Sequence, residues 1–257
     1  MYPEFQQQHV LVSGAASGIG ENVAQQLLES GARITALDLH TDTLDALVKQ
    51  YPDQILVLRC DVGNFDEVAE VVSKAEAHFG TIHKLVCAAG RLQMGDITDL
   101  TAEQWQKTFT TNTNGVFNLC HHVGLRLKAQ KRGAIVNISS NAATSPRMSM
   151  GAYAASKAAV TQMSRCLALE LAAYNVRVNV VSPGSTDTPM QQAMWQQGSS
   201  RETVIAGSGS HYRLGIPLQK IATPAEIANG VLFLLSDQAS HITLHDLRID
   251  GGATLDQ

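Results

Sequence analysis

The chain has 257 residues, 44% hydrophobic and 16% charged, which suits one α/β domain whose core needs no metal or disulfide staple. Its 19 Lys and Arg against 23 Asp and Glu give a net charge of −4 with no basic cluster, which argues against nucleic acid as a partner. No stretch approaches the ~20 apolar residues of a membrane span, and residues 1–9 lack the pattern of a secretory signal.

The first predicted strand, Val10 to Val12, runs into Ser13-Gly14-Ala15-Ala16-Ser17-Gly18-Ile19-Gly20, and a helical pattern continues over Asn22 to Glu29. Glycines permit a tight turn and close backbone approach, and a helix N-terminus offers free N–H groups and a positive dipole end to a pyrophosphate. Such a loop is also compatible with a plain Gly-rich βα turn. The second strand, Arg33 to Asp38, sharpens the reading. Asp38 lies 18 residues after Gly20, near the ~20-residue offset of an acid that hydrogen-bonds the adenosine ribose. A carboxylate there repels a 2′-phosphate, and no Arg or Lys occupies the loop, so NAD is favoured over NADP.

A third strand, Ile55 to Cys60, leads to Asp61 and Val62, which are placed to flank the adenine, and then to a helix over Phe65 to His78. The fourth, Lys84 to Ala88, ends at Ala88 to Gly90, followed by one long helical pattern from Trp105 to Ala129. A fifth strand, Ala134 to Ser139, brings Ser140 to the start of a helical run over Ala152 to Ala172. There Tyr153 and Lys157 stand at i, i+4 and share one face. A phenol with a pKa near ~10 is a poor base at neutral pH unless an ammonium and a cationic ring favour its phenolate. Ser140 is positioned to hydrogen-bond the same substrate oxygen. As an isolated pair, a packed Tyr and a snorkelling Lys would look the same.

The sixth strand, Val176 to Ser182, precedes Thr186 to Pro217, rich in Gln, Ser and Gly and carrying Met190, Met194 and Trp195. A stretch of this kind in a compact domain is functional or disordered, and it is expected to form a lid (186–217) over the crevice. A helix over Pro224 to Leu235 and a strand over Leu244 to Ile249 complete the chain. Near-continuous apolar strands alternating with helices imply a single Rossmann-type doubly wound parallel sheet with helices on both faces, its crevice at the carboxyl ends of the strands. Cys60, Cys87, Cys120 and Cys166 are widely spaced in apolar runs and read as reduced, buried thiols of a cytoplasmic protein. His241 with His245, and His121 with His122, have no converging carboxylate or thiol set, so no metal site is expected.

Taken together, Ser13 to Gly20, Cys87 to Gly90, Asn112, Ser140, Tyr153, Lys157 and Pro183-Gly184 resemble, in order and spacing, the short-chain dehydrogenase/reductase family over essentially the whole chain. The resemblance implies that Asn112 anchors a proton-relay water through its helix, Ser140 orients substrate, and Tyr153 is the acid/base. It also implies that Lys157 binds the nicotinamide ribose and lowers the tyrosine pKa, with Gly14, Ser17, Gly18, Ile19 and Gly20 at the pyrophosphate. Pro183, Gly184, Thr186 and Thr188 would line the nicotinamide. The family's usual Asn at the start of the Ala-Ala-Gly turn is here Cys87.

Ser182 to Thr188, Leu214 to Leu218, Ala239 to Leu244 and Thr144 to Met148 are similar to one branch of that family, whose members oxidise a dihydrodiol of benzoate to 2,3-dihydroxybenzoate for catechol siderophores. That similarity implies a carboxylated substrate, for which Arg147 offers a planar fork of donors, with the ring resting on Met148, Met150, Met190 and Trp195. It further implies a homotetramer and hand-over of product to a 2,3-dihydroxybenzoate-adenylating ligase. Two other readings stay open: a family member acting on a cyclic or sugar alcohol or a 3-oxoacyl thioester, and an NAD-binding regulator without turnover.

Overall fold

The computed structural model describes residues 2–195 and 200–255. Strands β1 (His9–Ser13), β2 (Arg33–Asp38), β3 (Ile55–Arg59), β4 (Lys84–Cys87), β5 (Gly133–Ile138) and β6 (Val176–Pro183) are joined by right-handed-type crossovers through helices. A two-residue hairpin, β7 (Gly207–Ser208) with β8 (Arg213–Leu214), interrupts the series before β9 (Asp246–Ile249). The seven long strands form one sheet in the order β3-β2-β1-β4-β5-β6-β9, and all pairings are parallel. Every residue of β1 and β4 is buried, which is why these strands read as unbroken apolar runs rather than alternating ones.

Helix α1 (Gly18–Glu29) covers one face together with α9 (Pro224–Leu235), and Val23, Leu27, Ile227 and Val231 pack into the core between them. Short α2 (Asp45–Gln50) lies beside β3. On the other face, α3 (Phe65–Phe79) buries Val68, Val71, Val72 and Ala75, an i, i+3, i+4, i+7 stripe. Its start is set by Asn64, whose side chain accepts from the backbone N–H of Asp66 and Glu67, and its end by Gly80 at φ 76°. Helix α9 opens on Pro224 behind a Thr223/Glu226 capping box. Truncating a fully buried side chain such as Leu85 or Leu127 to Ala should cost about 2–5 kcal/mol.

The long helix expected from Trp105 to Ala129 is instead α4 (Ala102–Phe109), a π-helical turn (Thr110–Asn114) and α5 (Gly115–Gln130). The turn widens the coil and points Asn112 inward, fully buried. Helix α6 (Gly151–Ala172) is continuous as expected. The last strand begins two residues late, at Asp246, because Leu244 takes a left-handed φ of 62°. The expected lid has structure of its own: α7 (Pro189–Trp195), α8 (Arg201–Ala206) and the β7/β8 hairpin, while Gln196, Gln197, Gly198 and Ser199 lie outside the described residues. Cys60, Cys87 and Cys120 are buried but Cys166 is exposed, because its position on α6 faces away from both cores. Among the described residues no helix is long and apolar enough to cross a membrane, and no group of His, Cys, Asp and Glu could hold a metal.

Candidate active site

The sheet order reverses between β1 and β4, where open α/β sheets place their ligand crevice. One cavity opens there, lined from Gly14 and Asp38 at one end to Ser140, Tyr153 and Arg213 at the other. Its adenosine-side wall carries Gly14, Ser17, Gly18, Ile19, Gly20, Asp38, Asp61 and Val62. Two of its glycines leave no space for a side chain. A Cβ on Gly14 would lie 2.6 Å from the Ala89 backbone nitrogen, and one on Gly20 would lie 2.0 Å from the Gly14 carbonyl oxygen. Among the described residues, Ser17 makes no side-chain cap to α1, so the first N–H groups of that helix remain available to an anion.

Asp38 ends β2 and accepts from the loop: its Oδ2 takes the Ala16 N–H at 3.0 Å and its Oδ1 the His40 N–H at 3.2 Å. The carboxylate is thus held at the loop's edge rather than turned to solvent. The glycine loop, the uncapped helix end and the fixed acid together fit a nicotinamide dinucleotide. Asp61 accepts from the Gly63 N–H at 2.9 Å. Ala88, Gly90, Pro183, Gly184, Thr186 and Thr188 continue the lining toward the other end. Gly184 has no room for a Cβ, which would sit 2.6 Å from Asp250 Cβ.

At that end, Ser140, Tyr153 and Lys157 come together from the end of β5 and the first turns of α6. Lys157 is buried, and its Nζ donates to the Ile138 carbonyl at 2.8 Å while lying 5.8 Å from the Tyr153 ring. Burial pulls its pKa down to about 8. Burial raises the Tyr153 phenol above its ordinary value, and the hydrogen bond with the Ser140 side chain pulls it back down. In this structure, therefore, the group that eases the phenol toward its anion is Ser140. Ser140 Oγ is itself held by the Ala142 N–H at 3.1 Å.

Asn112 does not line the cavity. Its side-chain oxygen accepts from the Arg91 N–H at 2.8 Å, and its amide donates to the Arg91 carbonyl at 2.9 Å and to Ser156 Oγ at 2.9 Å. The amide ties the π-helical turn to the segment after β4 and to α6, beside Lys157. Gly90 lies between them: a Cβ there would be in ordinary contact, 3.5 Å from both Asn112 Oδ1 and Lys157 Nζ. At Cys87 the thiol faces Cys120, and burial pushes its pKa up, so it stays neutral under the turn.

Of the residues expected to touch substrate, Arg147, Met150 and Met190 line the cavity. Met148 and Trp195 do not. Met148 is 51% exposed, pointing away on the loop before α6. Trp195 packs instead, half-buried, against a satellite core of Val204, Ile216, Ile221 and Ala253 at the end of α7. Met194, one of the apolar side chains expected on the lid, is in the cavity wall, and so are Arg213 and Gln191, which sequence reasoning missed as site residues. Nothing local marks Arg213, since β8 has two residues, and only its pairing with β7 turns it inward.

A family model described as enoyl-(acyl carrier protein) reductase matches residues 14–254. The chain is 47% identical over 251 residues to the vibriobactin-specific 2,3-dihydro-2,3-dihydroxybenzoate dehydrogenase of Vibrio cholerae serotype O1, covering 96% of each chain. It is 45% identical to the 2,3-dihydro-2,3-dihydroxybenzoate dehydrogenase of Bacillus subtilis, covering 95% of each. A solved short-chain dehydrogenase/reductase from Brucella melitensis, titled a glucose/ribitol dehydrogenase, superposes with a TM-score of 0.89 at 30% identity over 100% of both chains. The parallel sheet agrees with these matches, and the chain belongs to the short-chain dehydrogenase/reductase family.

Proposed function

We propose that this chain oxidises 2,3-dihydro-2,3-dihydroxybenzoate to 2,3-dihydroxybenzoate with NAD, as a step toward a catechol siderophore. The observation that carries the reading is one cavity in which Ser140, Tyr153 and Lys157 stand beside two cations, Arg147 and Arg213. The 47% identity to the Vibrio cholerae enzyme, named for this substrate, supports it. A regulator without turnover would have no use for that full set.

Gly14, Ser17, Gly18, Ile19 and Gly20 would hold the pyrophosphate, Asp38 the adenosine ribose, and Asp61 and Val62 the adenine side. Ala88, Gly90, Pro183, Gly184, Thr186 and Thr188 would enclose the nicotinamide, which when bound supplies the hydride acceptor. NAD is preferred to NADP because the only cations lining the cavity among the described residues are Arg147, Lys157 and Arg213, all remote from Asp38 along the sheet.

Tyr153, as phenolate, takes the proton from the ring carbinol at C3, and Ser140 holds the same oxygen. Lys157 holds the nicotinamide ribose and, once that end is occupied, adds a positive charge that favours the phenolate. Asn112 positions Lys157 through the π-helical turn and anchors a relay water by its helix. The ring ketone left by loss of the carbinol proton and hydride tautomerises to a catechol, so aromatisation sets the direction. Arg147 takes the carboxylate while Met150 and Met190 rest on the ring, and residues 186–217 act as the lid.

Exposed Trp105, Phe117, Leu125 and Leu169 on α4, α5 and α6 support a homotetramer. Product hand-over to a 2,3-dihydroxybenzoate-adenylating ligase and a cytoplasmic location complete the reading. The test follows NADH absorbance with the dihydrodiol acid beside cyclic alcohols lacking the carboxylate. Preferential turnover of the acid is expected; equal turnover of the uncharged alcohols would overturn the assignment, and NAD binding without turnover would favour the regulator.

A further inference from the structure

Arg213 enters the cavity from the lid hairpin, and its Nη2 donates to Ser185 Oγ at 2.9 Å. Its backbone is held by steric necessity. Gly207, which pairs with the next residue Leu214, has φ 84° and no room for a Cβ, which would meet the Arg213 carbonyl oxygen at 2.7 Å; a Cβ on Gly215 would meet the Ile205 carbonyl oxygen at 2.4 Å. The hairpin therefore delivers one side chain to one place. Burial pulls the Arg213 guanidinium below its ordinary pKa, and repulsion from Arg147 adds to it, so two cations face a shared space. Among the described residues Arg213 forms no ion pair, and the only acids lining the cavity are Asp38 and Asp61, beyond β1 on the β2/β3 side.

A second observation comes from α7. Gln191 is 9% exposed, lines the same cavity, and its Nε2 has no hydrogen-bond partner among the described residues. A buried donor without a partner costs stability unless a ligand completes it. Paired guanidinium forks favour a planar, two-oxygen anion over a point acceptor.

We propose that Arg213 is the specificity-determining residue for the substrate's carboxylate, sharing that anion with Arg147 while Gln191 donates to the same bound molecule. The proposal rests on the ring-acid reading above and adds that the lid itself recognises the charge. Closing the hairpin and binding the anion become one event, since the side chain that meets the carboxylate also ties the lid to Ser185 at the end of β6.

The experiment compares the dihydrodiol acid with the same diol lacking its carboxylate, in the NAD-loaded enzyme, for Arg213→Met and Arg213→Lys. Arg213→Met should lower kcat/KM for the acid on the order of 100-fold, chiefly through KM, and change the neutral diol less than about threefold. Arg213→Lys should recover part of the loss. In parallel, fluorescence titration of the enzyme–NADH complex should show weakened binding of 2,3-dihydroxybenzoate but not of catechol. Equal losses on both diols would make Arg213 a structural tie and overturn the proposal, as would an acid preference that Arg213→Met leaves undiminished. An unaltered enzyme with no preference for the acid overturns the ring-acid reading, and this proposal with it. Should Arg213→Met not fold, Arg213→Lys carries the same comparison, and an acid-selective loss in it is required.

Discussion

The two ends of the cavity are built on opposite principles. At the β1/β2 end, recognition comes from backbone: glycines that exclude side chains, an uncapped helix start, and two carboxylates, Asp38 and Asp61, held by backbone N–H groups. At the β5/β6 end it comes from side chains gathered from distant segments, and every charged group there is cationic: Arg147, Lys157 and Arg213. The difference teaches where specificity resides. On the proposed reading, the first end would take the dinucleotide through features that need no particular substrate, while the second must be remade for each substrate.

The largest expected effect tests the chemistry of the side-chain end alone. Tyr153→Phe should lower turnover on the order of 10⁴-fold while NAD affinity, measured by fluorescence titration, stays within about twofold. Surviving activity would remove Tyr153 as the base. Next, Asp38→Ala should erode the preference for NAD over NADP on the order of 100-fold in kcat/KM, without altering the acid-over-neutral-diol ratio. If that ratio moves as well, the two ends are not independent.

The pH profile comes third. Burial raises the Tyr153 phenol and Ser140 lowers it, so the phenolate grows as pH rises, and kcat/KM should climb about tenfold per unit below that pKa. Ser140→Ala removes the lowering bond and should displace the climb to higher pH, beyond any uniform loss of rate. A profile that merely drops without moving would mean Ser140 only orients substrate. The smallest effect concerns the place where the two ends touch. Gly18 has φ 58°, and a Cβ there would lie 3.1 Å from Thr188 Cγ2, so Gly18→Ala should cost about 1 kcal/mol of stability and weaken NAD severalfold. Thermal unfolding and fluorescence titration check both.

Legibility in the sequence followed the same division. The glycine loop, Asp38, the i, i+4 pair Tyr153 and Lys157, and the apolar strands are signals carried within one or two turns of chain, and all lie where their spacing implies. Arg213 has no such signal, because what aims it is a two-residue pairing and two crowded glycines rather than periodicity. Met148 and Trp195 are apolar neighbours of the site in sequence, but one faces solvent and the other fills the satellite core under α7. Composition cannot separate such fates, since an apolar side chain is equally content in a core or against a ring. Cys166 failed for a related reason: its apolar surroundings on α6 include a face that packs on nothing within this chain.

The π-helical turn at Thr110–Asn114 divides the single helix expected from Trp105 to Ala129. One residue more than an α-helix needs shifts the angular phase by about 100°, since each residue turns 100° at 3.6 per turn. Helices α4 and α5 differ in phase: the offset lets α5 bury Val116, Leu119 and Val123 while Asn112 bonds to the segment after β4 and to α6. A one-residue deletion there would be a frame error in three dimensions, forcing the chain to choose between seating its core and seating the amide that ties Arg91 to Ser156.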